Sequence, residues 1–393
     1  MPTRRSAAVV FRLVIYFAAA WGIVSTLAQG LFPGAPIVVL VLAVYTTIPV
    51  LVFARWQRWP FYPGAAFRLL VIRPFWYAQI LLPLVSIAGL IGIAIGLVFD
   101  FPIVVGQIFA FPTFIVATGV LLLGYIGSRR LVVRHVEFDV PNLPAGFDGL
   151  RIAQISDLHV GPHTRRRFLE RVVRATQELA PDLIAVTGDL VDDRAEDVAV
   201  YAKRLRALDA PLGVYMIPGN HDVYAGWDDV ERALRAEGLG TVLVNEAKFL
   251  HRGSDTIALV GTGDPAGGTR GASRVAPDVS RALEDVPNDV TVIAFAHDAT
   301  LWPALAVRGV ALTLSGHAQW DQFALPKLGW SLASPFLDRA ISAHVDRNAL
   351  LYVSPGTGYW GIPFRLGASP EVTLVTLRVA SVAAARVHPT RAA

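Results

Sequence analysis

The 393-residue sequence contains no cysteine and only two methionines, and 17% of its residues are charged. Lack of cysteine excludes disulfides, thiolate metal ligands and a thiol nucleophile, but it does not identify a compartment. Charge is unevenly placed as well as scarce. From Phe75 to Ser128 the one formal charge is Asp100, and Pro36 to Ala54 carries none. Ala8 to Leu31 is apolar apart from Arg12, which is close enough to the segment end to reach an interface. Repeats and low-complexity tracts are also missing, so neither a solenoid nor a disordered scaffold is indicated.

Apolar runs of this length are present in quantity, and the mean hydropathy is +0.49. A bilayer needs roughly 20 apolar residues per helical span. The 75–128 stretch is too long for one span and divides at Phe99-Asp100-Phe101-Pro102. The expectation is four transmembrane helices, at roughly 8–31, 36–54, 76–99 and 102–127, within a membrane region covering residues 1–134. Arg4 and Arg5 precede the first helix, while Arg55, Arg58, Arg68 and Arg73 lie between the second and third. Arg129, Arg130 and Arg134 follow the fourth, and the other two loops hold no basic residue. The positive-inside rule then puts the N-terminus, the middle loop and everything after residue 134 in the cytoplasm. Interspersed aromatics such as Trp56, Trp59, Phe61, Tyr62 and Trp76 fit an interfacial belt.

Topology also accounts for the net charge of +4. Through residue 135 there are ten arginines against one aspartate, net +9; the remainder has 25 basic and 30 acidic residues, net −5. A basic pI of this origin argues against nucleic acid as a partner, since the C-terminal part shows no strong basic groove. The cluster Arg165–Arg167 reads as a solvated helix face or as a contact to anionic headgroups.

Beyond residue 134 the pattern becomes strand, polar motif, helix. The motifs are SDLH (Ser156–His159), TGDL (Thr187–Leu190), PGNHD (Pro218–Asp222), AHD (Ala296–Asp298) and SGHAQ (Ser315–Gln319). Each follows a short apolar run that reads as a buried strand, so the polar residues fall at strand ends, where an α/β sheet presents its site. Helical periodicity is expected over 168–179, 195–208 and 227–237, with consecutive strands across 241–261 and further strands at 349–353 and 371–379. Carboxylate, imidazole and amide oxygen together suit divalent Mn, Fe or Zn better than Ca.

The combined pattern resembles the calcineurin-like metallophosphoesterases, in particular a bacterial membrane-anchored branch, over about residues 136–380. That resemblance implies an αββα sandwich for residues 135–393, two divalent metal ions, and hydrolysis of a phosphoester or phosphodiester by a metal-activated water. It assigns Asp157 and His159 to one ion, Asp189 to both, and Asn220, His297 and His317 to the other. His221 would contact the phosphate or protonate the leaving oxygen, with Asp222 orienting its ring. A bacterial inner-membrane enzyme with manganese in its centre is the corresponding expectation.

One position departs from the pattern: Gln319 stands where the family has a second histidine. Gln319, or Asp321 swung inward, completes the first site; or that site binds its ion weakly; or the chain has lost turnover and serves as a metal-binding sensor or scaffold. A cytoplasm-facing nucleotide phosphodiesterase is a further alternative. The anchor favours a lipid-linked phosphate as substrate. Arg365, in the glycine-rich PGTGYWGIPFR, and His163 are expected as substrate contacts, and Asp264 as an ordinary turn residue or a support behind the metal ligands.

Overall fold

The computed structural model describes residues 4–56, 65–161, 164–325, 328, 330–331, 342–346, 348–380 and 386–392. Two units are distinguished, Met1–Leu123 and Gly124–Ala393, and the division falls inside the last long apolar helix.

In the first unit, helices run over Arg4–Ala28, Ala35–Trp56 and Arg73–Gly96, and a fourth starts at Pro102 and ends at Gly127. Among the described residues three are long and apolar enough to cross a membrane: Phe11–Ala28, Arg68–Phe99 and Pro102–Gly127. The expected second span falls on the Ala35–Trp56 helix, whose described apolar stretch is Ala35–Pro49. Large apolar side chains point outwards, Ile37 at 68% and Val98 at 77% exposure, which water would penalise and lipid would not. Glycine permits close helix packing here: a Cβ on Gly92 would lie 2.6 Å from the Val105 carbonyl oxygen. These multiple candidate spans precede the α/β domain.

The second unit is built from two sheets. One contains β1 (Val132–Val140), β2 (Arg151–Ile155), β3 (Leu183–Thr187), β4 (Val214–Ile217) and β5 (Thr241–Val242). The other contains β6 (Glu246–Arg252), β7 (Asp255–Gly261), β8 (Thr291–Phe295) and β9 (Leu312–Ser315). A small hairpin follows, β10 (Ala324–Leu325) with β11 (Trp330–Ser331). Then β12 (Ser342–Asp346) and β13 (Ala349–Val353) extend the second sheet, while β14 (Glu371–Val379) and β15 (Arg386–Ala392) return to the first. The strand orders are β15-β1-β14-β2-β3-β4-β5 and β12-β13-β9-β8-β7-β6.

Alternation along the strands makes the layers. Ile152 of β2 and Leu183 of β3 enter a core shared with Ile257, Ile293 and Leu312 of the second sheet. Their neighbours Ala153, Ile155, Ile184 and Val186 point the other way, onto helices Arg166–Glu178, Glu196–Leu205 and Trp227–Ala236. The first of these helices buries Leu169, Val172, Val173 and Thr176, a 3–4 spacing that presents one apolar stripe to the sheet. On the far side, Ala258, Val260, Val292 and Ala294 pack with Leu305 of helix Trp302–Val307. The result is helix, sheet, sheet, helix.

Candidate metal centre

Strands β2, β3 and β4 are parallel neighbours, as are β8 and β9, so five motif loops leave their sheets at carboxyl ends. Hydrogen bonds between the sheets bring these ends together. The Gln154 amide donates to Thr187 Oγ1 and to the Ser315 carbonyl, both at 2.9 Å, and His297 Nδ1 lies 2.8 Å from the Thr187 carbonyl. Asp157, His159, Asp189, His317 and Gln319 all hold positive φ, between 42° and 64°. Non-glycine residues adopt this left-handed backbone at a cost, and its concentration at five site positions marks a functional cluster. Gly219 is required by proximity: a Cβ there would sit 2.2 Å from Asp189 Oδ1.

Of the residues expected in the site, Asp157, His159, Asp189, Asn220, His221, His297, His317 and Gln319 converge. Asp189 is central. Its Oδ1 accepts from the His221 backbone N–H at 2.7 Å, while its Oδ2 lies 3.3 Å from His297 Nε2 and 3.6 Å from His159 Nε2. Asn220 Oδ1 lies 2.8 Å from His317 Nδ1 and 3.3 Å from His297 Nε2. Asp157 is held by the Ser156 hydroxyl at 2.6 Å and by the His317 backbone N–H at 3.2 Å.

This donor set fits divalent cations. The proton on His297 Nδ1 is committed to the Thr187 carbonyl, so Nε2 faces the oxygens of Asp189 and Asn220, and once that nitrogen gives up its proton its electron pair joins theirs. Such a gathering of electron pairs is stabilised by a cation between them. The groups Asp157–His159–Asp189 and His159–Asp192–His221 each bring ligand atoms within 4.8 Å of one another. These two His/Asp clusters are compatible with a binuclear centre.

The electrostatics agree. Burial lowers His159 to about 3, aided by His221, His297 and Arg365, so its ring is neutral and able to ligate. Burial also opposes charge on His297, yet the carboxylates of Asp189, Asp157 and Asp264 raise it well above the imidazole range, a measure of how strongly the pocket favours positive charge. Asp189 stays below the usual carboxylate range despite burial, because His297, His159 and His221 stabilise its anion.

Two expected roles change. Asp222 does not orient the His221 ring: its carboxylate accepts the backbone N–H groups of Leu190, Val191 and Gly219, bracing the two motif loops. Arg365 is not a substrate contact. It is 1% exposed and spends its guanidinium on the carbonyls of Pro355, Gly358, Gln319 and Ala368 and on Gln319 Oε1. For Asp264 it is the supporting role that gains weight, since its carboxylate is buried and is among those that raise His297. His163 and the side chain of Asp321 lie outside the described residues.

Asp192 was missed. Its carbonyl oxygen lies 2.7 Å from His221 Nδ1, and its carboxylate is 3.8 Å from the same atom and 3.7 Å from His159 Nδ1. Within GDLVDDR it reads as half of an exposed acidic pair, and only the spacing of three from Asp189 hinted otherwise. Trp360 was also missed as an individual residue. With Asp189, Asn220, His221, His317 and Gln322 it lines a cleft of about 260 Å³. A larger cavity of about 830 Å³ opens at the opposite strand ends, near Thr291, Ala311 and Ala349, away from the ligand residues.

Fold and site together define a metallophosphoesterase-type α/β domain. A profile of the calcineurin-like phosphoesterases matches residues 150–319. A metallophosphoesterase of Aquifex aeolicus, of uncharacterised activity, is 30% identical over 256 residues, covering 65% of this chain and 94% of its own length. The uncharacterised metallophosphoesterase YkuE of Bacillus subtilis is 30% identical over 240 residues, 60% of this chain and 82% of that one. The chain belongs to the calcineurin-like phosphoesterases. A transmembrane protein with metallophosphoesterase domain from Danio rerio is 34% identical over 257 residues, 63% of this chain, and the match spans 57% of the relative's length.

Proposed function

We propose that this chain is a membrane-anchored, metal-dependent phosphoesterase acting on a phosphoester or phosphodiester. The observation that carries the reading is the convergence of Asp189, Asn220, His297 and His317 electron pairs in one buried pocket beside an open cleft. Bound divalent ions, Mn, Fe or Zn, would activate water and neutralise charge on the phosphate. Asp157, His159 and Asp189 would hold one ion; Asp189, Asn220, His297 and His317 would hold the other.

The chain's own residues do the rest. Asp189 is fixed by the His221 N–H and so presents its second oxygen at a constant position between the two groups of ligands. His221 keeps Nδ1 on the Asp192 carbonyl, which turns Nε2 to the cleft it lines. A protonated His221 would then donate from Nε2 to the leaving oxygen. Asp222 acts beneath, holding the loops that carry Asp189 and Asn220 in register.

The test is hydrolysis of a chromogenic phosphodiester and its matching monoester by detergent-purified protein with added Mn. EDTA treatment and Asp189→Asn serve as controls. Turnover that vanishes in both supports the enzyme. Retained turnover in Asp189→Asn rejects the assigned centre, and ion binding with no turnover under any divalent metal favours a sensor or scaffold.

The arginine distribution supports four spans with a cytoplasmic N-terminus and catalytic domain. Protease protection in right-side-out vesicles tests this; digestion of the α/β domain from outside would reverse the orientation. A cytoplasmic catalytic domain on such an anchor suits a lipid-linked phosphate in the inner leaflet. Cleavage of soluble nucleotides much faster than any lipid phosphate would replace that substrate by a nucleotide.

A further inference from the structure

Gln319, where the resemblance places a histidine, is not a simple ligand exchange. Gln319 Nε2 lies 2.6 Å from His159 Nε2, and Gln319 Oε1 lies 3.2 Å from Arg365 Nη2. The two contacts settle the amide's polarity. A guanidinium has donors and no acceptor, so the amide oxygen must face Arg365. The amide N–H then points at the nitrogen electron pair that His159 would offer to a cation. Turning the amide over would set its N–H groups against those of the guanidinium.

Arg365 itself cannot give way. It is 1% exposed, and the carbonyls of Pro355, Gly358 and Gln319 take its remaining hydrogens. Its Nη2 and the Asp157 Cβ both stand 3.0 Å from where a Cβ on Gly356 would be, with Gln319 Cγ at 3.4 Å. The fixed positive charge is therefore built against the Asp157 side of the centre. On the other side, the ring-nitrogen contacts of His297 and His317 among the described residues run to Thr187, Asp189 and Asn220.

We propose that Arg365 is a positioning residue which, by fixing the polarity of Gln319, makes the two metal positions unequal. The ion beside Asn220, His297 and His317 is retained, whereas the one beside Asp157 and His159 is weakly held and exchangeable. This rests on the metal-centre reading above, and it predicts a protein isolated with one ion that responds to free metal concentration.

Gln319→Glu separates the two demands. One carboxylate oxygen can accept from Arg365 while the other faces the ion, with no N–H directed at His159. Arg365→Gln replaces a donor-only group by one that also accepts, so the Gln319 amide is free to turn its oxygen to the ion.

The experiment loads full-length, detergent-purified protein with Mn, removes loose ion by gel filtration, and measures metal content and electron paramagnetic resonance. Wild type is expected to keep about one Mn per chain with the six-line signal of an isolated ion. Gln319→Glu should tighten the second ion about 10–100-fold, the usual scale for a residue supporting a ligand, and give an exchange-coupled spectrum. Arg365→Gln should move in the same direction by less. Two tightly held, coupled ions in wild type overturn the proposal, as does Gln319→Glu or Arg365→Gln protein that is folded but still retains one. No retained ion in wild type would instead reject the metal-centre reading itself.

Discussion

His221 Nδ1 and the carbonyl oxygen of Asp192 lie 2.7 Å apart, so the ring is oriented by main chain and not by the acidic residue beside it in sequence. Replacing His221 by Gln should lower kcat about 10²–10⁴-fold, the range for loss of a positioned acid. Metal content should not change if the ions sit on the proposed ligands, which do not include His221. Parallel loss of metal and activity would make His221 a ligand and not an acid.

The carboxylate of Asp192 adds a pH-dependent charge beside the same ring. Burial raises Asp192 to about 7, with His221 opposing and Asp193, Asp189 and Asp197 reinforcing. As pH rises through 7 the carboxylate gains its charge 3.8 Å from His221 Nδ1. Asp192→Asn removes that ionisation, so the inflection of the kcat profile near pH 7 should disappear. An unchanged profile would show that the carboxylate, 3.8 Å from Nδ1, is too well screened to act.

The outline of this centre was legible because its ligands follow strands that are apolar throughout. β2, β3, β8 and β9 bury every residue or all but the first, so each polar motif announces a strand end. What the sequence hides is which partner a buried polar group chooses. Asp222 and Arg365 both carry chemistry suited to a substrate, and both are consumed by backbone groups of loops that meet only in the fold. Asp192 is the converse: its functional atom includes a main-chain carbonyl, which residue identity does not report. The strands β1 and β15 were illegible for another reason. They pair with residues far away in the chain, β1 with β14 in parallel and β15 on its outer edge, so local pattern carries little of their signal.

Metal uptake should release a proton. Asp189, Asp157 and Asp264 hold His297 well above the usual imidazole range against burial, and an ion at that position needs the neutral ring. Below the His297 value, affinity should therefore fall as pH falls, by up to tenfold per pH unit for one proton. Titration calorimetry in buffers of different ionisation enthalpy counts the proton. Absence of any buffer dependence near neutrality would mean that His297 is already neutral before the ion arrives.

A buried ion pair props the loop under Asp157. Glu371 accepts from Arg134 at 2.6 Å and from the Tyr352 and Thr373 hydroxyls, while its main chain holds Gly356 and Thr357. Thr357 and Gly358 in turn donate backbone N–H groups to the carbonyls of Ser156 and Asp157. Removing Arg134 leaves the Glu371 carboxylate, itself 1% exposed, without the cation hydrogen-bonded to it. Arg134→Met should cost about 3 kcal/mol, the low end for such a pair because Arg134 is a quarter exposed. Thermal unfolding would show it, and Arg134→Met/Glu371→Gln should recover part of the loss.

Trp360 supplies the last prediction, about what the cleft admits. Its ring is 55% exposed and its centroid lies 6.0 Å from that of His221. Tyr224 lies on the same histidine at 5.6 Å, with the Arg270 guanidinium 4.9 Å from the tyrosine ring. A substituent on the phosphate that is aromatic or broadly apolar would gain contact with Trp360, while inorganic-like small esters would not. Stacking of this kind is worth about 0.5–1.5 kcal/mol, so Trp360→Ala should raise KM for an aryl phosphodiester roughly 2–12-fold. Trp360→Phe should restore most of it, and methyl esters should be unaffected. If kcat falls equally for every ester, Trp360 instead acts by placing the His221 ring, and substrate choice must be sought elsewhere in the cleft.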